Sequence, residues 1–376
     1  GRIVVTVNLS EAFKRVLIGR KLASHQLGET LLPKRIALPV FASDALSSVA
    51  YAPDEILLTL SLAGMAAFAF SWKIGLLVAV VMLVVVASYR QTVHAYPSGG
   101  GDYEVATVNL GPNAGLTVAS ALLVDYVLTV AVSVSSGIQN AKAFVPWIQT
   151  GHEGIWAAVA ILILMAMNLR GVRESGGVFA VPTYMFMFGV IIMCLYGLFR
   201  ILVLGQHLTT ETSGYQVVAD PSYANFGGIV AVALLARTFS SGCAALTGVE
   251  AISNGVPAFQ KPKSKNAATT LLLLGGIAVS MLTGILVLAN LTGTKLIDIH
   301  GGSYFTNDGV RVEGDVPTVM AQLAATVFDN FKPGFYLLML VTLLILVLAA
   351  NTAFNGFPVL GSILAKDGFL PRALHT

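Results

Sequence analysis

The sequence predicts an all-α polytopic membrane protein, and three observations predict it. Of 376 residues, 56% are hydrophobic and 11% charged, where an ordinary soluble domain carries about 25% charge. Mean hydropathy is +0.79. Apolar runs of roughly 20 residues, the length that crosses a bilayer, recur along the chain and give eight spans: about 36–64, 73–97, 114–142, 154–171, 178–205, 226–257, 266–292 and 334–358.

Residues 1–35 form a basic segment with no short apolar core and small-residue cleavage site, so no cleavable signal peptide is expected. Within it, Glu11-Ala-Phe-Lys-Arg-Val-Leu-Ile-Gly-Arg-Lys is amphipathic. It reads as a helix on the anionic cytoplasmic leaflet, or as a solvated helix. With the N-terminus inside, 15 of the 22 lysines and arginines fall on cytoplasmic segments and six outside, which satisfies the positive-inside rule. The expected location is therefore the cell membrane, multi-pass, with a cytoplasmic N-terminus. The long acidic loop 293–333 lies outside, and 316–328 is expected to form a short surface helix.

Several classes are disfavoured. Cys194 and Cys243 both fall in apolar spans and read as small packing residues. The six histidines are scattered, without metal-ligand spacing, and read as loop or interface residues. The pattern points to no cofactor, no transition metal, no nucleic-acid partner and no enzyme.

Three carboxylates, Asp44, Asp125 and Glu250, stand in the spans. A charge at bilayer depth costs at least ~2.5–3.5 kcal/mol, so such residues face the protein interior or a water-filled cavity and mark ion or substrate pathways. Two of them sit in similar stretches. Span 1 reads Phe41-Ala-Ser-Asp-Ala-Leu-Ser-Ser-Val-Ala-Tyr51, and span 6 reads Phe239-Ser-Ser-Gly-Cys-Ala-Ala-Leu-Thr-Gly-Val-Glu250. Interrupted segments five spans apart point to an inverted-repeat carrier with its site at the breaks. Both spans are therefore expected to be broken. Close helix packing would explain the small residues, but not the acids. The repeats are 36–205 (spans 1–5) and 226–358 (spans 6–8). Residues 359–376 form a cytoplasmic segment, and a five-plus-five arrangement puts spans 9 and 10 beyond Thr376.

Span 3 aligns Asp125, Thr129 and Ser133 on one helix face. Oxygen ligands of this kind suit a hard cation. Taken singly, Thr129 and Ser133 are expected to bond the carbonyl four residues earlier. Thr247 and Glu250 project the same way from span 6. Tyr51 can offer its phenol to a cation. Acids brought together repel, so one of Asp44, Asp125 and Glu250 can hold a proton. Asp54, Glu55 and Arg237 lie in the outer halves of spans 1 and 6 and are expected to form an outer salt-bridge gate or a structural ion pair.

After span 2 stands Tyr96-Pro97-Ser-Gly-Gly-Gly-Asp-Tyr103. With Thr247-Gly-Val-Glu250, it resembles the amino acid–polyamine–organocation transporters, which implies a LeuT-type five-plus-five inverted-repeat fold. Longer strings resemble the KimA-type potassium-uptake proteins of the KUP group: Ser43-Asp-Ala-Leu-Ser-Ser-Val-Ala-Tyr51, Leu122-Leu-Val-Asp-Tyr126, Ala245-Leu-Thr-Gly-Val-Glu-Ala-Ile-Ser-Asn254 and Leu346-Val-Leu-Ala-Ala-Asn-Thr352. That resemblance implies potassium uptake by proton symport and a homodimer in the bilayer. It also implies a cation-binding set of Asp44, Tyr51, Asp125, Thr129, Thr247 and Glu250, with Tyr126 adjacent. The runner-up is an amino-acid or polyamine permease. Amino-acid carriers place a Gly-Ser-Gly type break in span 1, where this chain has Ser43-Asp44-Ala45, which repels a carboxylate and attracts a cation. A third reading is an intramembrane aspartyl protease, on Gly99-Gly-Gly-Asp102 with Asp125. It fails because Asp102 belongs to a Gly-rich edge loop, whereas the dyad needs two carboxylates sharing one site.

Overall fold

The computed structural model describes residues 31–97, 99, 101–148, 151–169, 176–223, 226–298, 302–312 and 316–374. The amphipathic stretch 11–21, His25, His300 and His375 lie outside the described residues. The helices are α1 (Lys34–Ser61), α2 (Met65–Phe68), α3 (Ser71–Ala95), α4 (Asp102–Leu110), α5 (Pro112–Lys142), α6 (Glu153–Leu169), α7 (Gly176–Leu202), α8 (Gly228–Gly242), α9 (Glu250–Asn254), α10 (Lys263–Leu291), α11 (Val319–Val327) and α12 (Lys332–Lys366). Among the described residues, seven segments are long and apolar enough to cross a membrane, with α8 and α9 sharing one, and α6 is a shorter apolar helix. The eight segments alternate in direction. One end of the bundle therefore collects the start of α1, the α4 loop and the end of α12, and the other collects the long loops.

α1 is the central element. It packs against α7, α8, α10 and α12 and is the most enclosed of the spans. The expected break in span 1 is absent: α1 runs as one helix through Pro39 and Pro53. The physical reason lies in its composition. Residues 34–61 contain no glycine, and the small polar residues bond back into the helix. Ser47 donates to the carbonyl of Asp44 at 2.7 Å and Ser48 to that of Ala45 at 2.8 Å. Such bonds are made within a helix turn and do not end it.

Span 6 does leave the α-helix. α8 ends at Gly242, a 3-10 turn covers Cys243–Leu246, Thr247 is extended (φ −60°, ψ 146°), and α9 begins only at Glu250. Gly248 adopts φ +82°, a left-handed conformation that side chains rarely tolerate.

Two further corrections concern the outer loops. They are not all-α: β1 (Gln216–Val218), β2 (Tyr304–Asn307) and β3 (Val310–Val312) form an antiparallel sheet in the order β1-β2-β3. The β2–β3 turn is Asp308-Gly309, both at positive φ, the chemistry a tight hairpin requires. The helix expected in 316–328 forms as α11 but is not on the surface. Val319, Met320, Leu323, Ala324 and Val327 are all buried, because an apolar nine-residue helix gains by packing on α1, α7, α10 and α12.

α3 and α10 approach closely where Gly275 meets Val86. A Cβ there would come within 2.8 Å of a Val86 methyl, whereas one at Gly276 would meet nothing within 4 Å. Gly275→Val should therefore destabilise the fold by about 1–3 kcal/mol through overpacking, with Gly276→Val close to neutral. Thermal unfolding in detergent checks this; equal melting temperatures would contradict the packing described.

Candidate cation site

Asp44 lies in the enclosed part of α1 at 6% exposure, and its Oδ1 has no hydrogen-bond partner among the described residues. The span-6 break is pressed against it. A Cβ on Gly248 would fall 2.6 Å from the Ala45 backbone nitrogen and 2.8 Å from the Asp44 side chain, so both the space and the backbone geometry demand glycine. Ser48 ties the two elements together by also donating to the Ala245 carbonyl at 3.1 Å. Tyr51, two turns beyond Asp44, is buried and reaches Thr247. Thr247 itself donates to the Ala244 carbonyl at 3.0 Å.

α5 contributes the third wall. Thr129 and Ser133 are buried, and neither makes the expected bond to the carbonyl four residues earlier. Ser133 Oγ has no partner among the described residues. Ser133 is thus a candidate ligand that the helix-bonding argument set aside; its place on the Asp125 face was the signal that could have found it. Asp44, Asp125 and Glu250 lie near enough for their charges to act on one another. Among the described residues, no lysine or arginine forms an ion pair with any of them. A buried carboxylate without a countercharge needs a proton or a cation.

Asp44, Tyr126 and Glu250 share a cavity of about 770 Å³. It opens at the α4 end of the bundle, where Asp102, Glu104, Lys366 and Asp367 line it. Asp125, Thr129, Tyr51 and Thr247 are not in its lining. The mouth is held by Tyr89, whose hydroxyl donates to the Asp102 carboxylate at 2.8–2.9 Å, and by Tyr103, which donates to Asp367 at 2.8 Å. Burial raises the Asp102 carboxyl above its usual range, and the Tyr89 bond partly offsets this.

The outer salt-bridge gate is not formed. Arg237 is exposed, and among the described residues it pairs with no carboxylate. Asp54 instead accepts from the backbone N–H of Val319 at 2.8 Å. The reason is reach: Asp54 is buried under α11 while Arg237 points away from the protein.

Ser133→Ala distinguishes a ligand from a packing residue. Removing an unpartnered buried hydroxyl should leave stability unchanged or raise it. Loss of a cation ligand should raise the apparent KM for rubidium by roughly tenfold, about 1.4 kcal/mol. Unaltered uptake kinetics would remove Ser133 from the site.

The profile of a family described as amino acid permease matches residues 40–376. The potassium transporter KimA of Bacillus subtilis strain 168 is 40% identical over 361 residues, which cover 96% of this chain and 55% of that protein. The chain therefore spans about half the length of the curated relative it matches. With its apolar spans, broken sixth segment and acid-lined interior, the chain is a helical polytopic membrane protein that belongs to the amino acid permease family, and the LeuT-type fold read from its sequence is consistent with that membership.

Proposed function

We propose that this chain belongs to a secondary carrier that imports potassium together with a proton. The observation that carries the reading is the orphaned oxygen of buried Asp44, set beside two more acids with no basic partner among the described residues. An oxygen-rich, anionic, partly dehydrated pocket suits a monovalent hard cation. The name of the Bacillus subtilis relative supports potassium as that cation.

The unbroken α1 weighs against an amino-acid substrate. A substrate carboxylate would need bare backbone N–H groups at the first break, and α1 keeps its amides within the helix. Asp44 would also repel it. The span-6 break suits the opposite charge, since unwound backbone offers carbonyls that a cation can use. Mutual repulsion among Asp44, Asp125 and Glu250 makes a site that holds one proton readily and gives it up when a cation enters. Coupling then follows from competition for the same negative charge. With the N-terminus inside, as the lysine and arginine bias indicates, the cavity faces the cytoplasm and the shape is inward-facing.

Rubidium uptake into proteoliposomes holding the full-length protein tests the proposal, with and without an inward proton gradient. Gradient-stimulated uptake is expected, and Asp125→Asn and Glu250→Gln should each abolish it while inserting normally. Wild-type-like uptake in both variants would overturn the site. No uptake by folded wild type would overturn the cation reading in favour of an organic substrate.

A further inference from the structure

At the cavity end of the bundle, two basic stretches far apart in sequence are drawn together. Leu32, ahead of α1, makes a parallel bridge with Phe259, ahead of α10. Leu32 N–H donates to the Ala258 carbonyl at 2.8 Å, and Gln260 N–H donates to the Leu32 carbonyl at 3.1 Å. Phe259 is fully buried and stacks on Phe41 of α1, with ring centroids 5.4 Å apart. Lys34 and Arg35 therefore stand beside Lys261, Lys263 and Lys265. All but Lys263 are exposed, and Lys263 donates to the Pro257 carbonyl at 2.6 Å. Neither α1 nor α10 has an acid in its first turn. Among the described residues, none of these cations forms an ion pair. The acids of this end, Asp102, Glu104 and Asp367, line the cavity instead.

A sixth cation fixes the depth of the patch. α3 and α10 pack antiparallel, with Gly75 against Leu286 and Val86 against Gly275. The same register sets exposed Arg90 opposite Leu271, about 9 Å deeper along α10 than Lys265. Both side chains continue faces that are bare of protein. Lys265 shares its helix face with Leu272, which is 52% exposed, and Arg90 shares its face with Leu83, which is 47% exposed. Exposed leucines on a membrane span face acyl chains. Lys265 thus stands where such a face meets the headgroups, and Arg90 reaches up to them from below.

We propose that Lys34, Arg35, Arg90, Lys261, Lys263 and Lys265 form a docking surface for the headgroup of an anionic phospholipid. Charge complementarity asks for an anion, and depth selects its kind. A soluble phosphate can meet the lysines but not a guanidinium that rises from acyl depth, whereas a lipid phosphate lies between the two levels. With the N-terminus inside, the leaflet is the cytoplasmic one. The bridge makes the surface more than an anchor. It joins the start of α1 to the exit of span 6, the segments that carry Asp44 and Glu250, so a bound headgroup holds both at once. Binding at this surface requires no transported ion and stands whether or not the chain carries potassium.

Hydrogen–deuterium exchange and native mass spectrometry of the full-length protein test the surface. In nanodiscs of phosphatidylcholine mixed with phosphatidylglycerol, exchange at 31–35 and 256–262 should be several-fold slower than in pure phosphatidylcholine. A basic residue near an anionic leaflet is worth about fivefold in binding, so Arg90→Gln and Lys265→Gln should each weaken retention of phosphatidylglycerol by roughly that factor. Unchanged exchange in α12 marks an intact fold in both variants. Lys332→Gln, at the other end of the bundle, should retain the lipid like wild type. Inorganic phosphate should neither displace the lipid nor slow exchange in phosphatidylcholine. Equal retention by wild type, Arg90→Gln and Lys265→Gln would overturn the proposal. So would equal protection by inorganic phosphate, which marks a soluble-anion site, or full protection already in pure phosphatidylcholine, which marks a protein segment as the occupant.

Discussion

Asp44 is a carboxylate inside a packed helix bundle with one oxygen that no described residue satisfies. Leaving such a group charged and unpaired in a low-dielectric interior is costly, and the surrounding structure makes sense as a response to that cost. α1 is enclosed on several sides, and Asp44 lines the cavity. Gly248 brings the bare backbone of the span-6 break against it. Glu250 and Asp125 add further negative charge where a neutralising lysine or arginine would have been cheaper. On the proposed reading, the ensemble is stable with a proton or a cation present and poorly stable with neither.

The two ends of the bundle are built on different principles. At the cavity end, Tyr89 and Tyr103 fasten a short helix and its glycine-rich loop through neutral donors to carboxylates, leaving a wide acidic entrance. At the opposite end, α11 is sunk into the bundle, capped by Thr318 and braced by α1, α5 and α7. Packing is dense there, with Leu60, Leu323 and Val327 fully buried, so small displacements of α1 cannot be absorbed locally.

Much of this was legible in the sequence. Hydropathy placed seven of the eight spans to within three residues, but the last helix runs to Lys366, eight residues into the stretch expected to be a cytoplasmic segment, and the cost of intramembrane charge singled out the three acids. What misled was the likeness of spans 1 and 6. Both contain Phe-[Ala/Ser]-Ser followed by small polar residues, but of the two stretches only Phe239–Glu250 contains glycine, and the backbone leaves the helix there. Serine alone returns its hydroxyl to the helix and lets it continue. The gate failed for another reason: charges of opposite sign in facing spans do not pair unless their side chains point at one another, and helix rotation is set by packing that a single sequence does not display. The buried α11 was hidden because it lies in an acidic loop, whereas the hairpin turn at Asp308-Gly309 was present as a signal and was passed over. Ser133 was discounted on a local rule about hydroxyls that the helix does not follow at that position.

The most direct measurement of the central claim is anomalous scattering from crystals of the protein grown in rubidium. A peak in contact with the Asp44 carboxylate, lost in Asp44→Asn, is the predicted result. Well-ordered crystals with rubidium bound elsewhere, and none beside Asp44, would contradict the account.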